Sequence, residues 1–414
     1  MKKFILSLMF LAGALGAAAQ EKAVRPSFEY DVDFETRFDN REFDAGGKAY
    51  CSSMTIFGAR LTPMVGLGLE ETASGAKHRL MAGIDVQKDF GASPVSRLVK
   101  EGLAGKAGYA DAIEAESPYR LNNLALFRDI VLFYDYHRQI RKVGLGITAG
   151  IFPRRMTGGE YGEYMFSDSL KFYDPNLEGL LFTFQRPKAY FEVGCDWAGK
   201  AGFARRERFM IFTAGYSDLK DWVRVGYAGY MLHYAGSEVV RGVVDNIMLN
   251  PYARFDFGGM THLQELSVKL GWIQTLQQDR KEATGYIFPC AGELTVGVRN
   301  WNVGVRNTLT VGTNLMPYWH DRDNAGVQFG YDLYMGDPFY QIRPGSPLFN
   351  DSEGVERYDT SRGLYDKIDI FYEPSLGDFL KLKVQARFHF TADGYQGCQQ
   401  MIGLSFNLSE MMNR

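Results

Sequence analysis

The sequence predicts an all-β fold, a transmembrane antiparallel barrel of about 18 strands with 16 as the alternative count. Three observations predict it: a perfectly alternating first strand, an export signal ahead of it, and a regular rhythm of short turns and long loops. Residues 28–39, FEYDVDFETRFD, place Phe28, Tyr30, Val32, Phe34, Thr36 and Phe38 on one face. Glu29, Asp31, Asp33, Glu35, Arg37 and Asp39 fall on the other. A period of two over such a length is a strand signal that no helix reproduces. An apolar face opposite a charged one suits a barrel wall between lipid and a wet lumen. It also suits a soluble sandwich, so the rest of the chain has to decide.

The N-terminus bears on compartment. Lys2 and Lys3 precede the apolar run FILSLMFLAGALG, and Ala17, Ala18 and Ala19 supply small residues for cleavage. That pattern is a secretory signal peptide. Residues 1–20 are therefore expected to be removed and residues 21–414 to form a single outer-membrane β-barrel domain. No later segment is long and apolar enough to be a membrane-crossing helix. Composition favours strands, with 46 Gly, 30 Phe and 24 Tyr, and a mean hydropathy of −0.22 despite 46% hydrophobic residues fits alternation. The formal charge of −3 becomes −5 once Lys2 and Lys3 are lost, which argues against nucleic acid as a partner. Cys51, Cys195, Cys290 and Cys398 have no short metal-like spacing, and Cys195 falls on an apolar strand face.

Taken in order, extended runs follow at 50–69 and 78–90, then an insertion at 91–123 rich in Gly, Ala, Ser and charge. From residue 124 the rhythm is regular: 124–138, 143–151, 177–185, 189–199, 207–217, 221–234, 246–257, 261–275, 293–300 and 302–312. Runs at 325–335, 364–373, 379–391 and 396–408 bring the strands to 17. Short turns after residues 69, 138, 185, 217, 257 and 300 alternate with long loops. Barrels of this class have an even count with both ends on one side, so an extra strand at PFYQIR, 338–343, is expected. Tyr and Trp near strand ends, Trp197, Trp222, Trp272 and Trp301 among them, suit two interfacial girdles.

The last strand, GCQQMIGLSFNLSE, sets Ile402, Leu404, Phe406 and Leu408 against Gly403, Ser405 and Asn407. It resembles the terminal strand read by the barrel-assembly machinery of Gram-negative bacteria, although eight residues follow Phe406. Over residues 21–414 the plan resembles the 16- to 18-stranded outer-membrane porins, general or substrate-specific. That resemblance implies a channel for passive diffusion of small hydrophilic solutes or ions, an outer-membrane lipid environment, and a homotrimer as the common assembly. It also implies a third long loop folded into the lumen. Here that loop is 153–176, carrying Arg154, Arg155, Glu160, Tyr161, Glu163, Tyr164 and Lys171; a loop left on the cell surface is the alternative.

Parity names the lumenal side chains. Glu29, Asp31, Asp33 and Glu35 form an acidic ladder with Arg37 at its outer end. Lys381, Lys383, Arg387 and His389 form a basic one, with Arg299 and Arg306 further round. Closure of the first strand on the last would separate the ladders by one strand, roughly 10 Å. Such ladders set up a field that selects ions, or they neutralise one another as a wall network. No GxSxG, HExxH, P-loop or strand-linked GxGxxG occurs. The expectation is therefore no enzyme and no cofactor. A barrel plugged by 91–123 and 153–176 and serving as an assembly, adhesion or surface-interaction protein is the second reading, and a barrel-embedded enzyme the third.

Overall fold

A computed structural model of the protein describes residues 24–90, 129–203, 206–237, 242–281, 285–321, 329–342, 349–350, 356–357, 361–374, 376–377 and 379–408. Sixteen strands close into one antiparallel barrel. Its first half is β1 (Val24–Phe43), β2 (Met54–Glu71), β3 (Lys77–Asp89), β4 (Asp129–Ile140), β5 (Val143–Pro153), β6 (Asn176–Arg186), β7 (Ala189–Gly199) and β8 (Arg208–Lys220). The second half is β9 (Val223–Tyr234), β10 (Val244–Asp256), β11 (Glu265–Asp279), β12 (Cys290–Asn300), β13 (Val303–Gly312), β16 (Gly363–Tyr372), β17 (Leu380–Thr391) and β18 (Gly394–Asn407). A two-residue ladder, β14 (Phe349–Asn350) with β15 (Glu356–Arg357), stands outside the barrel sheet.

The barrel shuts where β1 meets β18, from Asp33 opposite Asn407 to Phe43 opposite Gly397. Closure satisfies every edge, which a sheet in lipid requires. At the seam Gly397 has φ +133°, and a Cβ there would lie 2.4 Å from the Glu42 carbonyl oxygen. The register of β17 against β18 slips at His389/Phe390, so the last strand bends just where β1 approaches. The short-turn end of the barrel carries 141–142, 187–188, 221–222 and 301–302 between strands. Trp301 and Asn302 both have positive φ, 49° and 65°, as a two-residue hairpin turn demands.

Alternation decides the faces. Phe28, Tyr30, Leu80, Leu132, Leu180, Leu270, Val305, Ile370 and Ile402 are exposed on the outside, as are Trp197, Trp222, Trp272 and Trp301. Asp31, Asp39, Asp135, Glu192, Glu293, Lys367, Asp369 and Arg387 are buried on the inside. The chain is thus inverted relative to a soluble protein, and its fold is that of an outer-membrane barrel. No helix among the described residues is long and apolar enough to cross a membrane.

The count is 16, not 18, because two apolar stretches are not wall strands. Of the first, the described residues 329–335 hold the short helix α2 (Gly330–Leu333), and of PFYQIR the described residues 338–342 hold a 3-10 turn at Pro338–Gln341. Phe329, Leu333, Tyr334, Phe339, Tyr340 and Ile342 are all buried, in one cluster with inward side chains of the wall such as Phe212, Tyr230, Leu232 and Met248. Their hydrophobicity serves an interior core and not a lipid face. Tyr230 and Tyr334, whose places near the ends of expected strands would suit the interfacial girdles, belong to that interior as well. The expected signal peptide and the insertion 91–123 lie outside the described residues. The four cysteines are free thiols.

Ile402 stands outward in the middle of β18, opposite Phe38 and Val384. Ile402→Arg would put a cation into the lipid-facing band, with an expected loss of about 2–4 kcal/mol. Urea unfolding of the variant in lipid vesicles checks this; an unchanged midpoint contradicts the assigned face.

Candidate functional site

Two regions concentrate the chemistry: the lumen, and a patch on the outer wall near the long-loop end. The lumen is occupied from within. Pro153 ends β5 and the chain turns inward through a 3-10 turn, Arg154–Met156. It then reaches helix α1 (Asp168–Tyr173), whose N-cap Ser167 accepts from the Leu170 amide at 3.1 Å. Five of the side chains proposed for this loop, Arg154, Arg155, Glu160, Tyr161 and Glu163, bond to the wall, whereas Lys171 pairs within the loop. Arg155 pairs with Asp31 at 3.0 Å and with Asp33, both on β1. Arg154 reaches Asp196 on β7 at 3.5 Å, and Glu160 reaches Arg224 on β9 at 2.8 Å. Glu192 gathers the Gly158 and Gly159 amides at 2.8 and 3.1 Å and the Tyr161 hydroxyl at 2.7 Å. Lys171 sits 3.5 Å from Asp168.

Glu163 goes deepest. Its carboxylate lies 2.9 Å from Arg387 and 2.8 Å from Lys367, and Arg387 also donates to Asp369 at 2.7 Å. Burial alone would raise the Glu163 carboxyl, but the Arg387 and Lys367 charges outweigh it and hold it below the ordinary carboxylate range. The same residue's carbonyl accepts from the Asp337 amide at 2.8 Å, and Ser167 N donates to the Met335 carbonyl at 2.9 Å. These bonds tie loop 154–175 to a second inserted segment, described at 313–321 and 329–342. That segment is anchored in turn: Gln277 donates to the Leu315 carbonyl at 2.8 Å, and the Tyr318 hydroxyl accepts from the Asp279 amide at 2.9 Å. Together the two segments plug the long-loop half of the barrel.

The predicted ladders are placed accordingly. Asp31, Asp33, Glu35 and Arg37 face inward on β1, with Glu29 at the short-turn end; Glu35 pairs with Arg60 at 2.7 Å and Arg37 with Asp39 at 2.9 Å. Lys383 lies over the Phe371 ring at 5.4 Å and Arg306 reaches Glu265 at 3.5 Å, beside Arg299. His389 lines no open path. It is fully buried, stacked on Phe339 at 4.2 Å, and bonded to Tyr365 at 2.9 Å and Gln399 at 3.0 Å. Gln399 donates on to Asp39 at 3.2 Å, so the two ladders meet through β18 as a bonded network. Beneath the plug, a cavity of about 460 Å³ remains, bounded by Arg155, Lys171, Lys381 and Asn407.

Sequence reading missed the outer patch. Near the long-loop end of β9, Leu232 and Tyr234 point into the core while Met231 and His233 point outward. His233 Nδ1 lies 3.2 Å from Asp245 Oδ1 on β10. The other Asp245 oxygen accepts from Arg280 Nε at 2.7 Å and from the Tyr286 hydroxyl at 3.3 Å. Asp245 is 8% exposed and His233 36%, so the carboxylate is covered while the ring keeps access to the surroundings. On the other side His233 is opposite Phe209, whose ring packs 5.2 Å from Trp197 at the same level of the wall. The histidine therefore stands in the aromatic belt. No group of three His, Cys, Asp or Glu side chains placed to hold a metal occurs among the described residues.

The family described as lipid A 3′-O-deacylase-type matches residues 21–237, just over half of the chain, and the chain belongs to that family. No curated protein matches it. Among solved structures the chain is similar to a triple mutant of the Rhodopseudomonas blastica porin, at 12% identity and a TM-score of 0.41, over 92% of this chain and 100% of that one. It is also similar to OccK3 (OpdO) of Pseudomonas aeruginosa, at 9% identity and a TM-score of 0.43, over 92% and 96%. The family corrects the expectation that the chain is not an enzyme, because it is a family described by an enzymatic activity. It also confines the porin resemblance to the barrel plan.

Glu163→Gln would leave Arg387 and Lys367 facing a neutral amide, with an expected cost of about 3–5 kcal/mol to the seating of the plug. Because the folded Glu163 is held below its ordinary value of about 4.3, its contribution is full at neutral pH and is lost as pH falls below that value. Trp319, buried in the plug against Tyr334, reports this. Its emission should shift to the red in Glu163→Gln at neutral pH and in the parent on acidification. Identical spectra in both would show that the plug does not depend on this charge.

Proposed function

We propose that the protein is an outer-membrane hydrolase that removes an acyl chain from lipid A-type glycolipids, working on the lipid side of its wall. The single observation that carries the reading is the His233–Asp245 pair in the aromatic belt at the long-loop end, which is the cell-surface end in barrels of this plan. Membership of the deacylase-type family supports it. A histidine oriented by a covered carboxylate is the arrangement of a general base. With Asp245 holding Nδ1, Nε2 takes a proton from water. The resulting hydroxide attacks the acyl carbonyl, the ester C–O bond breaks, and the imidazolium returns its proton to the departing alkoxide. The products are a fatty acid and the lipid alcohol. Arg280, on the Asp245 oxygen away from His233, adds a half-exposed cation beside the pair that could meet a lipid phosphate.

Passive diffusion of small hydrophilic solutes is the competing reading, in a Gram-negative outer membrane after signal-peptide cleavage in either case. The plug weighs against it, since Glu163, Tyr164, Met165 and Phe166 lie where a solute would pass.

Refolded protein incubated with lipid A in mixed micelles should yield lipid A lighter by one acyl chain in the mass spectrum. His233→Ala should cut the rate by about 10²–10⁴-fold, the usual contribution of a general base. Asp245→Asn should reduce it too while leaving the barrel folded. Intact lipid A after incubation with inserted wild-type protein, or full activity in His233→Ala, would defeat the proposal. Conductance in a planar bilayer tests the competitor: discrete, ion-selective steps would favour the channel.

A further inference from the structure

The cavity beneath the plug takes no part in chemistry on the outer wall, and it has the size of a small-molecule site, about 300–1,000 Å³ being typical. At about 460 Å³ it extends from α1 down to the ends of β17 and β18, where Lys381 and Asn407 line it at the short-turn end of the barrel. Its lining has two characters. Tyr161, Phe166, Leu177 and Phe212 give it apolar surface. Five cations, Arg60, Arg154, Arg155, Lys171 and Lys381, line it together with the carboxylates of Asp33 and Glu35.

Those cations differ in how they are used. Arg60 donates to Glu35 at 2.7 Å and to the Phe172 carbonyl at 2.7 Å, and Arg154 is engaged by Asp196 and by the Asp174 and Asn176 carbonyls. They hold the wall together. Arg155 and Lys171 are different: each pairs with carboxylates yet keeps nearly half of its side chain exposed, 46% and 47%. Both come from the plug and both line the cavity. Asp33 and Glu35, the two wall carboxylates, are already bonded to Arg155 and Arg60. An entering cation would have to compete with an arginine for either one. An entering anion meets exposed guanidinium and ammonium donors in a partly desolvated space, where charge-assisted bonds are stronger than in water.

We infer that this cavity is a binding site for a small organic carboxylate with an apolar body, reached from the periplasmic end of the barrel. The carboxylate lies toward Arg155, Lys171 and Lys381, and the apolar part lies against Phe166 and Phe212. The assignment is independent of the hydrolase reading, since none of these residues belongs to the patch around His233.

The test uses full-length protein in phosphatidylcholine nanodiscs, with empty nanodiscs as the blank, titrated calorimetrically with four probes. These are 3-phenylpropionate, its neutral amide, 3-phenylpropylamine and acetate. The expected result is that 3-phenylpropionate binds at least 10-fold more tightly than the other three, and more weakly as salt is raised. Lys171→Gln with Lys381→Gln should weaken it at least 10-fold while Trp319 emission stays unchanged. If that double variant fails to insert, Lys171→Gln alone, on an exposed face of α1, should still weaken binding about 3-fold. Equal binding of the amide or the amine, no binding of 3-phenylpropionate to folded wild-type protein, or wild-type affinity in the lysine variants would each overturn the inference.

Discussion

The structure depends on one buried carboxylate. Glu163 stands near the middle of a loop that has left the wall, and it is met by Arg387 from β17 and Lys367 from β16. Arg387 is shared with Asp369, so four charges from three elements form one knot. Removing any one of them would leave an uncompensated charge in a dry interior, which is why such knots specify a single arrangement. Around this point the apolar residues of both inserted segments collect, Phe339 stacking on His389 and Tyr365, and Tyr50 on Phe339. The interior is therefore a protein core built inside a membrane wall. Charge fixes where it docks, and aromatic packing fills it.

That arrangement reassigns the lumenal charges. Ladders that look like the lining of a water-filled path are instead the sockets for a plug. Asp31 and Asp33 receive Arg155, Arg224 receives Glu160, and Arg387 receives Glu163. The complementarity was already present between loop 153–176 and the strands, but strand parity reveals only which side a residue faces. It carries no information on which loop comes to meet it.

The barrel itself was legible for the same reason that its contents were not. A strand between lipid and lumen must alternate, and an alternation such as Phe28 to Asp39 or Leu380 to Phe390 is visible without coordinates. A segment inside the lumen obeys the rules of a soluble core, where apolar residues follow no period of two. Residues 325–335 and 338–343 accordingly resembled strands by hydrophobicity alone, and Phe329, Tyr334 and Phe339 turned out to face inward. The His233–Asp245 pair was hidden differently. The two residues are partners only in the register of β9 against β10, and that register depends on the length of the loop between Tyr234 and Val244. Scanning for motifs along the chain cannot find a pair made across a hairpin.

A plugged lumen fits the proposal that the chemistry lies on the outside of the wall. Inside, the titratable groups are bonded to one another and covered; His389, held by Tyr365 and Gln399 and stacked on Phe339, has neither a free ring nitrogen nor a path to a substrate. On the outer face His233 has one nitrogen held by Asp245 and the rest of the ring in the aromatic belt beside Phe209 and Trp197. A membrane lipid reaches that position by lateral diffusion and needs no channel. The rigid interior then has a mechanical role as well. Asn246, next in sequence to Asp245 but pointing inward, is bonded to Tyr230 at 3.0 Å and to the Leu333 carbonyl at 3.3 Å. The plug thus pins the strand that carries the carboxylate, and core and outer pair are two faces of the same few residues.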